Sequence, residues 1–180
     1  MQMQEVSLET ERLLLRWFRE TDFPEYLAMS SDPEVMKFLG GKPQTEIEAW
    51  KSMAAFMGHW YFRGYGVWAV EEKSTGKLIG RIGLMNPAGW PGFELGWTLA
   101  RESWGKGYAT ELTIAGLHYV FTKTQINPIY AYTEEPNTSS QKVLLKAGFR
   151  PNGSYIEGDK KVEGFVLEKE EYLRRNYLQG

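Results

Sequence analysis

Residues 93–111 read Phe-Glu-Leu-Gly-Trp-Thr-Leu-Ala-Arg-Glu-Ser-Trp-Gly-Lys-Gly-Tyr-Ala-Thr-Glu. As far as Leu99, large residues alternate with small or polar ones, which is the period of a strand; beyond Gly105-Lys106-Gly107 the apolar spacing becomes helical. A helix N-terminus leaves about four backbone N–H groups without intrahelical acceptors and carries a partial positive charge, so a glycine-lined approach lets a phosphate rest on those donors. The stretch therefore reads as a strand, a glycine turn and a helix start that can cradle a pyrophosphate. Two glycines two apart also serve as a plain tight connection. A P-loop is excluded, because Lys106 lies between the glycines and Tyr108 follows the second. A dinucleotide fingerprint lacks its third small residue, since Thr110 stands there.

On the N-terminal side, residues 12–18 form an apolar run fit for a strand, and Glu20, Thr21, Asp22 and Pro24 supply helix-start chemistry. Pro33 and Gly40-Gly41 punctuate the connection that follows. Thr45 and Glu48 have capping-box spacing and open a helix through Arg63, closed by Gly64, with Ala49, Met53, Phe56 and Trp60 on one face. The cluster Trp60-Tyr61-Phe62 reads as core. Residues 66–72 and 78–84 read as strands joined across Ser74-Thr75-Gly76-Lys77, and residues 85–92 as a loop whose Trp90 either lines a groove or anchors the loop.

After the glycine turn, the helix places Leu112, Ala115, Gly116 and Tyr119 on one face and Glu111, His118 and Thr122 on another. A strand over 128–134, a helix start at Glu135-Pro136-Asn137, a helix end at Gly148, two strands over 149–157 and 161–168, and a short helical tail over 170–177 complete the chain. The order β α α β β β α β α β β is an α+β arrangement.

The octet Trp104-Gly105-Lys106-Gly107-Tyr108-Ala109-Thr110-Glu111 resembles the acyl-CoA-binding motif of the GNAT N-acetyltransferase superfamily, in the branch that includes the Rim-type ribosomal-protein N-terminal acetyltransferases. Residues 10–16 (Thr-Glu-Arg-Leu-Leu-Leu-Arg), residues 31–36 (Ser-Asp-Pro-Glu-Val-Met), and Asn137 and Ser140 followed by Leu144, Lys146, Ala147, Gly148 and Phe149 are similar to further segments of that branch, in the same order. The chain departs from the pattern at Glu102, where the superfamily often has Gln or Arg. The resemblance implies a mixed, mostly antiparallel central sheet flanked by helices on both faces. It also implies acetyl-CoA as co-substrate, held by Trp97, Thr98, Leu99, Trp104, Gly105, Lys106, Gly107, Tyr108, Ala109, Thr110 and Asn137.

A length of 180 residues suits one domain spanning 1–180. A net charge of -2 without a long basic run argues against nucleic acid as a partner. No apolar stretch approaches the roughly 18 residues of a membrane span, and the polar start lacks the features of a signal peptide, so a cytoplasmic monomer or homodimer is expected. The chain has no cysteine, which excludes disulfides, thiolate metal sites and a cysteine nucleophile. Its two histidines, His59 and His118, are far apart in sequence and no acidic cluster has ligand spacing, so no metal is expected.

Acetyl transfer to an amine needs the neutral amine. At pH 7 an α-amine is roughly a tenth neutral and a lysine amine under about a thousandth, so a base helps in both cases. Glu94 is the candidate, in the position where the resembling family places a glutamate; sequestration by Phe93 and Trp97 would lift its pKa towards the useful range. An ordinary solvated strand glutamate is the plain alternative. Ser140 and Asn137 match the family's late-helix serine and asparagine, which implies contact with the pantetheine arm and with the departing sulfur; without the resemblance they read as a helix residue and a helix cap. Lys142 and Lys146 read as a solvated face within reach of a remaining phosphate. Direct attack in a ternary complex is expected on an acceptor that is a protein N-terminus or a small-molecule amine. A non-catalytic acyl-CoA sensor of the same fold is the alternative, separated by whether CoA is released.

Overall fold

Alternation along the strands sorts the chain into a sheet with a helical layer on each face. The computed structural model describes residues 4–177, which form strands β1 (Leu8–Glu9), β2 (Leu13–Arg16), β3 (Val67–Glu72), β4 (Lys77–Met85), β5 (Phe93–Leu99), β6 (Ile129–Glu134), β7 (Arg150–Glu157) and β8 (Lys160–Leu167). The helices are α1 (Phe23–Ser30), α2 (Pro33–Met36), α3 (Glu46–Arg63), α4 (Tyr108–Lys123), α5 (Thr138–Ala147) and α6 (Lys169–Tyr177), with short 3₁₀ turns at Glu20–Asp22 and Arg101–Ser103. The sheet order is β1-β2-β3-β4-β5-β6-β8-β7. Every neighbouring pair is antiparallel except β5 and β6.

Strand parity assigns the two cores. On β3, Val67 and Ala69 join Phe18, Tyr26, Met53 and Phe56 under α1 and α3, whereas Trp68 and Val70 join Leu13, Leu15, Leu95, Leu112 and Phe121 beneath α4. A slip of one residue would exchange the two sets, so burial on both faces pins the register. Helix α3 forms as its sequence directs: the Thr45 hydroxyl accepts the Glu48 amide at 3.3 Å, Glu48 Oε2 accepts the Thr45 amide at 2.8 Å, and Gly64 ends it in the left-handed conformation.

The expected mixed sheet with helices on both faces is present. Three expectations are corrected. A two-residue strand, β1, pairs with β2 at the edge, too short to carry a periodic signal. The segment after α1 contains a single helical turn, α2, whose cap is Asp32: its Oδ1 accepts the Glu34 amide at 2.9 Å. Tyr61 and Phe62 are not core; they are 69% and 80% exposed, and only Trp60 of that trio is buried. Three consecutive helical residues, set about 100° apart, span some 200° of the helix circumference, so they cannot all face one core.

The feature that positions the site lies in the middle of the sheet. β5 and β6 are parallel and share only the pairs Phe93↔Ile129 and Glu94↔Tyr130. Past Glu94, β5 pairs with β4 alone and β6 with β8 alone, so the two strands separate into a wedge. The N-terminus of α4 follows the end of β5, and the N-terminus of α5 follows the end of β6.

Candidate active site

At the open end of the wedge, Gly105 and Gly107 have φ of 72° and 82°, the left-handed region that glycine enters without strain. Gly107 caps α4, and the first helical amides, those of Tyr108, Ala109 and Thr110, have no acceptor within the helix. They form a donor surface with the positive end of the helix dipole behind it.

This turn is clamped from β2. Arg12 Nη1 donates to the Lys106 carbonyl at 2.9 Å, its Nε and Nη2 reach Glu111 Oε2 at 2.7 and 2.6 Å, and its guanidinium lies 4.4 Å from the centre of the Tyr108 ring. Glu111 Oε1 also accepts from the Thr10 hydroxyl and the Arg12 amide. Burial pushes the Glu111 carboxyl up, but the hydrogen bonds from Thr10 and Arg12 outweigh it and hold the pKa below the ordinary value. The Tyr108 hydroxyl donates to Glu72 Oε1 at 2.6 Å, which raises the tyrosine and lowers the glutamate. The pairings of the clamp, and of Tyr108 with Glu72, join residues between 36 and 101 apart in sequence, so no local motif shows them.

A cavity of about 600 Å³ runs from this turn into the wedge. Trp97, Thr98, Leu99, Trp104, Gly105, Gly107, Tyr108, Ala109, Thr110, Asn137 and Ser140 all line it; Lys106 does not, its ammonium lying 5.9 Å from the Tyr108 ring centre. Trp104 donates its indole N–H to the Leu99 carbonyl at 2.8 Å, which ties the turn to the end of β5. Lys142 and Lys146 also line the cavity, so these two exposed lysines border it as well as the solvent. Asn137 is a helix cap, its Oδ1 accepting the Ser140 amide at 3.2 Å, and the same turn places Asn137 and Ser140 on the wall.

A second cavity of about 230 Å³ shares Phe38, Leu39, Trp97, Asn137 and Ser140 with the first. Glu94 lines it together with Arg81, Met85, Tyr132 and Thr133. The neighbours expected around Glu94 need correcting. By strand alternation Phe93 points to the other face and lines neither cavity, Trp97 lines the second cavity with Glu94, and the cross-strand partners of Glu94 are Met85 and Tyr130. Tyr132 stacks on Tyr130 at 6.5 Å, and burial, then Tyr155 and the charge of Glu94, raise its phenol. Trp90 is 40% exposed and lines neither cavity. The contribution of residues 34–39 was missed beyond its family resemblance; Arg101 Nε reaches Asp32 Oδ2 at 3.1 Å and ties that turn to the end of β5.

Two observations bear on whether a CoA thioester fits. The hydroxyls of Thr98 and Thr133 are buried without a protein partner, and they line the first and second cavities. Buried polar atoms of this kind call for a hydrogen-bonding occupant. A side-chain Cβ at Gly105 would meet nothing within 4 Å, so the cradle side of the turn is bare backbone. Both features suit a long, amide-bearing, phosphate-tailed molecule.

Comparison with known proteins finds acetyltransferases. The family model described as an acetyltransferase (GNAT) domain matches residues 12–150. An uncharacterised N-acetyltransferase, p20 of Bacillus licheniformis, is 32% identical over 175 residues, covering 95% of this chain and 98% of its own. Among solved structures, an acetyltransferase from Agrobacterium tumefaciens str. C58 superposes with a TM-score of 0.83 at 27% identity, covering 93% of this chain and 97% of that one. The spermidine N-acetyltransferase of Vibrio cholerae, solved with CoA and spermine, shares the fold with a TM-score of 0.75 at 22% identity, covering 91% and 99%.

The chain is an acyltransferase. It belongs to the GNAT acetyltransferase family.

Proposed function

We propose that the protein moves an acetyl group from acetyl-CoA to a primary amine by direct attack in a ternary complex. The observation that carries this reading is the joining of the two cavities at Asn137 and Ser140, one cavity beginning at the α4 N-terminus and the other holding Glu94. Acetyl-CoA supplies the activated acyl group as a thioester. The α4 amides and the turn at Gly105 and Gly107 hold its pyrophosphate, Thr98, Leu99 and Asn137 flank its arm, and Lys142 and Lys146 neutralise remaining phosphate charge. The V. cholerae enzyme of the same fold, crystallised with CoA, supports this donor.

On the acceptor side, Glu94 removes the proton that the ammonium must lose before its nitrogen can attack. The new C–N bond forms as the C–S bond breaks; the sulfur leaves as a thiolate that takes the proton the new amide nitrogen sheds and departs as CoA thiol, with the Ser140 hydroxyl in the same cavity to hydrogen-bond it as charge develops. With no cysteine in the sequence, the acyl group passes straight to nitrogen. The chain works as one catalytic domain, and its acceptor is a small-molecule amine or a protein N-terminus, the latter in keeping with the Rim-type branch.

Initial-rate plots against both substrates test the order of events, with intersecting lines expected. Incubation with acetyl-CoA alone should leave the intact mass unchanged. A stable gain of one acetyl group on Ser139 or Ser140, chased to amine, would replace direct attack with an acyl-serine route.

A further inference from the structure

Two arginines in this protein, Arg16 buried and Arg81 half-buried, are treated in opposite ways. Arg16 is 4% exposed and fully compensated: Nη1 and Nη2 meet Asp22 at 2.8 and 2.7 Å, and Nε meets Glu71 at 2.7 Å. Hydrogen bonds with Asp22, offset in part by burial and reinforced by Glu71, raise its pKa. Arg81 projects from β4 on the α1 and α3 face, where its guanidinium lies 5.0 Å from the centre of the Phe56 ring and beside the Tyr26 hydroxyl. Among the described residues it makes no ion pair, and burial, only partly countered by Tyr26 and Glu94, lowers its pKa. A half-buried cation without a carboxylate in contact is only partly compensated by an aromatic face and one hydroxyl.

Arg81 lines the second cavity, the same one that holds Glu94. These are the only two charged residues on that wall among the described residues. Four residues of β4 separate Arg81 from Met85, the cross-strand partner of Glu94, a spacing of about 13 Å between α-carbons that two long side chains narrow to the span of a small molecule. The floor between them is open at Gly96, where a Cβ would meet nothing within 4 Å, while the facing Gly83 lies against the backbone of Gly66 and Val67.

We propose that the acceptor is a small amine that also carries an anionic group, an amino-acid-like molecule whose carboxylate sits on Arg81 while its nitrogen faces Glu94. This rests on the reading of the second cavity as the acceptor side. Its volume, about 230 Å³, is below the roughly 300–1,000 Å³ of drug-sized sites and suits an acceptor of that size. A linear polyamine fits the wall poorly, since its second ammonium would face Arg81 with one carboxylate to share. An arginine fork, by contrast, is made for a carboxylate.

The experiment compares three matched sets with acetyl-CoA: free amino acids, their amides, and the corresponding decarboxylated amines, with CoA release as the readout. The acids should exceed their amides by at least about tenfold in kcat/KM. A fourth arm of short peptides beginning with Asp or Glu tells a free acid from an acidic chain end as the source of the anion, and preference in either supports the anion site. In Arg81→Gln the acid-to-amide ratio should fall towards one, and in Arg81→Lys it should be partly kept. Amides or simple amines used as well as acids would overturn the anion site while leaving acetyl transfer intact. CoA release with none of the sets, despite measurable acetyl-CoA binding, would overturn both.

Discussion

Arg12 Nη1 donates to the carbonyl of Lys106 at 2.9 Å, joining a strand near one edge of the sheet to the single residue between the two glycines of the cradle. The turn itself contributes little to holding its own shape, since glycine has the widest conformational freedom. A side chain from elsewhere does that work, and its own charge is balanced by Glu111. Arg12→Ala should therefore weaken acetyl-CoA binding by about tenfold, through a looser cradle and an uncompensated carboxylate beside it. The double variant Arg12→Ala/Glu111→Gln should regain part of that loss. Calorimetry on the parent and these two variants tests this, and equal affinity in all three would remove Arg12 from the cradle.

Gly107 has φ of 82°, and an added Cβ would lie 3.5 Å from Arg12 Nη2. Gly105 has φ of 72° with open space around it. Alanine at either position should lower stability by a similar amount, about 1–2 kcal/mol, from the left-handed backbone. Only Gly107→Ala sits at the helix cap, so it should reduce acetyl-CoA affinity further than its loss of stability accounts for. Thermal melts alongside titrations separate the two effects.

Glu94→Gln keeps the shape of the side chain and removes its basicity. The amine-dependent rate should fall by about 10²–10⁴-fold while acetyl-CoA affinity holds. Should the rate stay within about threefold of the parent enzyme across the neutral range, the acceptor's own ionisation supplies the free amine.

Gly96 lines the second cavity, with no atom within 4 Å of a Cβ built on it. Gly96→Val should fill that space without displacing protein atoms, raising KM for the amine by about tenfold or more and leaving acetyl-CoA binding alone. Steady-state kinetics with each substrate varied in turn provides the check.

His59 Nε2 accepts the backbone N–H of Asn86 at 3.3 Å, a bond only the neutral ring can make. Burial, with the charge of Arg63, holds this imidazole below its ordinary value. Because the folded-state pKa is the lower one, its stabilisation is complete above the ordinary histidine value and is lost as pH falls through the folded value. Hydrogen exchange at Asn86, corrected for intrinsic rate, should accelerate as pH drops from about 7 to about 5. In His59→Gln that pH dependence should vanish.

Much of the fold was legible because its signals are local. The Thr45 capping box, the glycines that end helices, and the strand alternation at 93–99 each concern a few neighbouring residues. Nearly all residues of the expected cofactor site meet on one wall for the same reason, as they cluster at the ends of two adjacent strands. What was not legible depends on register and distant pairing. Arg81 reads as an unremarked strand residue until β4 lies against β5 and places it on the cavity wall with Glu94. Arg12 acquires its role only when β2 passes beneath the start of α4. The neighbours of Glu94 were misassigned because sequence adjacency puts Phe93 nearby while the pleat turns it away.

The pairing of β5 with β6 at only two positions makes the sheet nearly two sheets, one ending in β5 and the other beginning with β6. A hinge moves least at its pin. Glu94 and Tyr130 are that pin, whereas Thr98 and Thr133 stand on the diverging arms. Any breathing of the wedge as substrates come and go therefore displaces the threonines far more than it displaces the carboxylate. On the proposed reading, the gap that such breathing would widen takes the long donor molecule, and the proposed base stands at the pin.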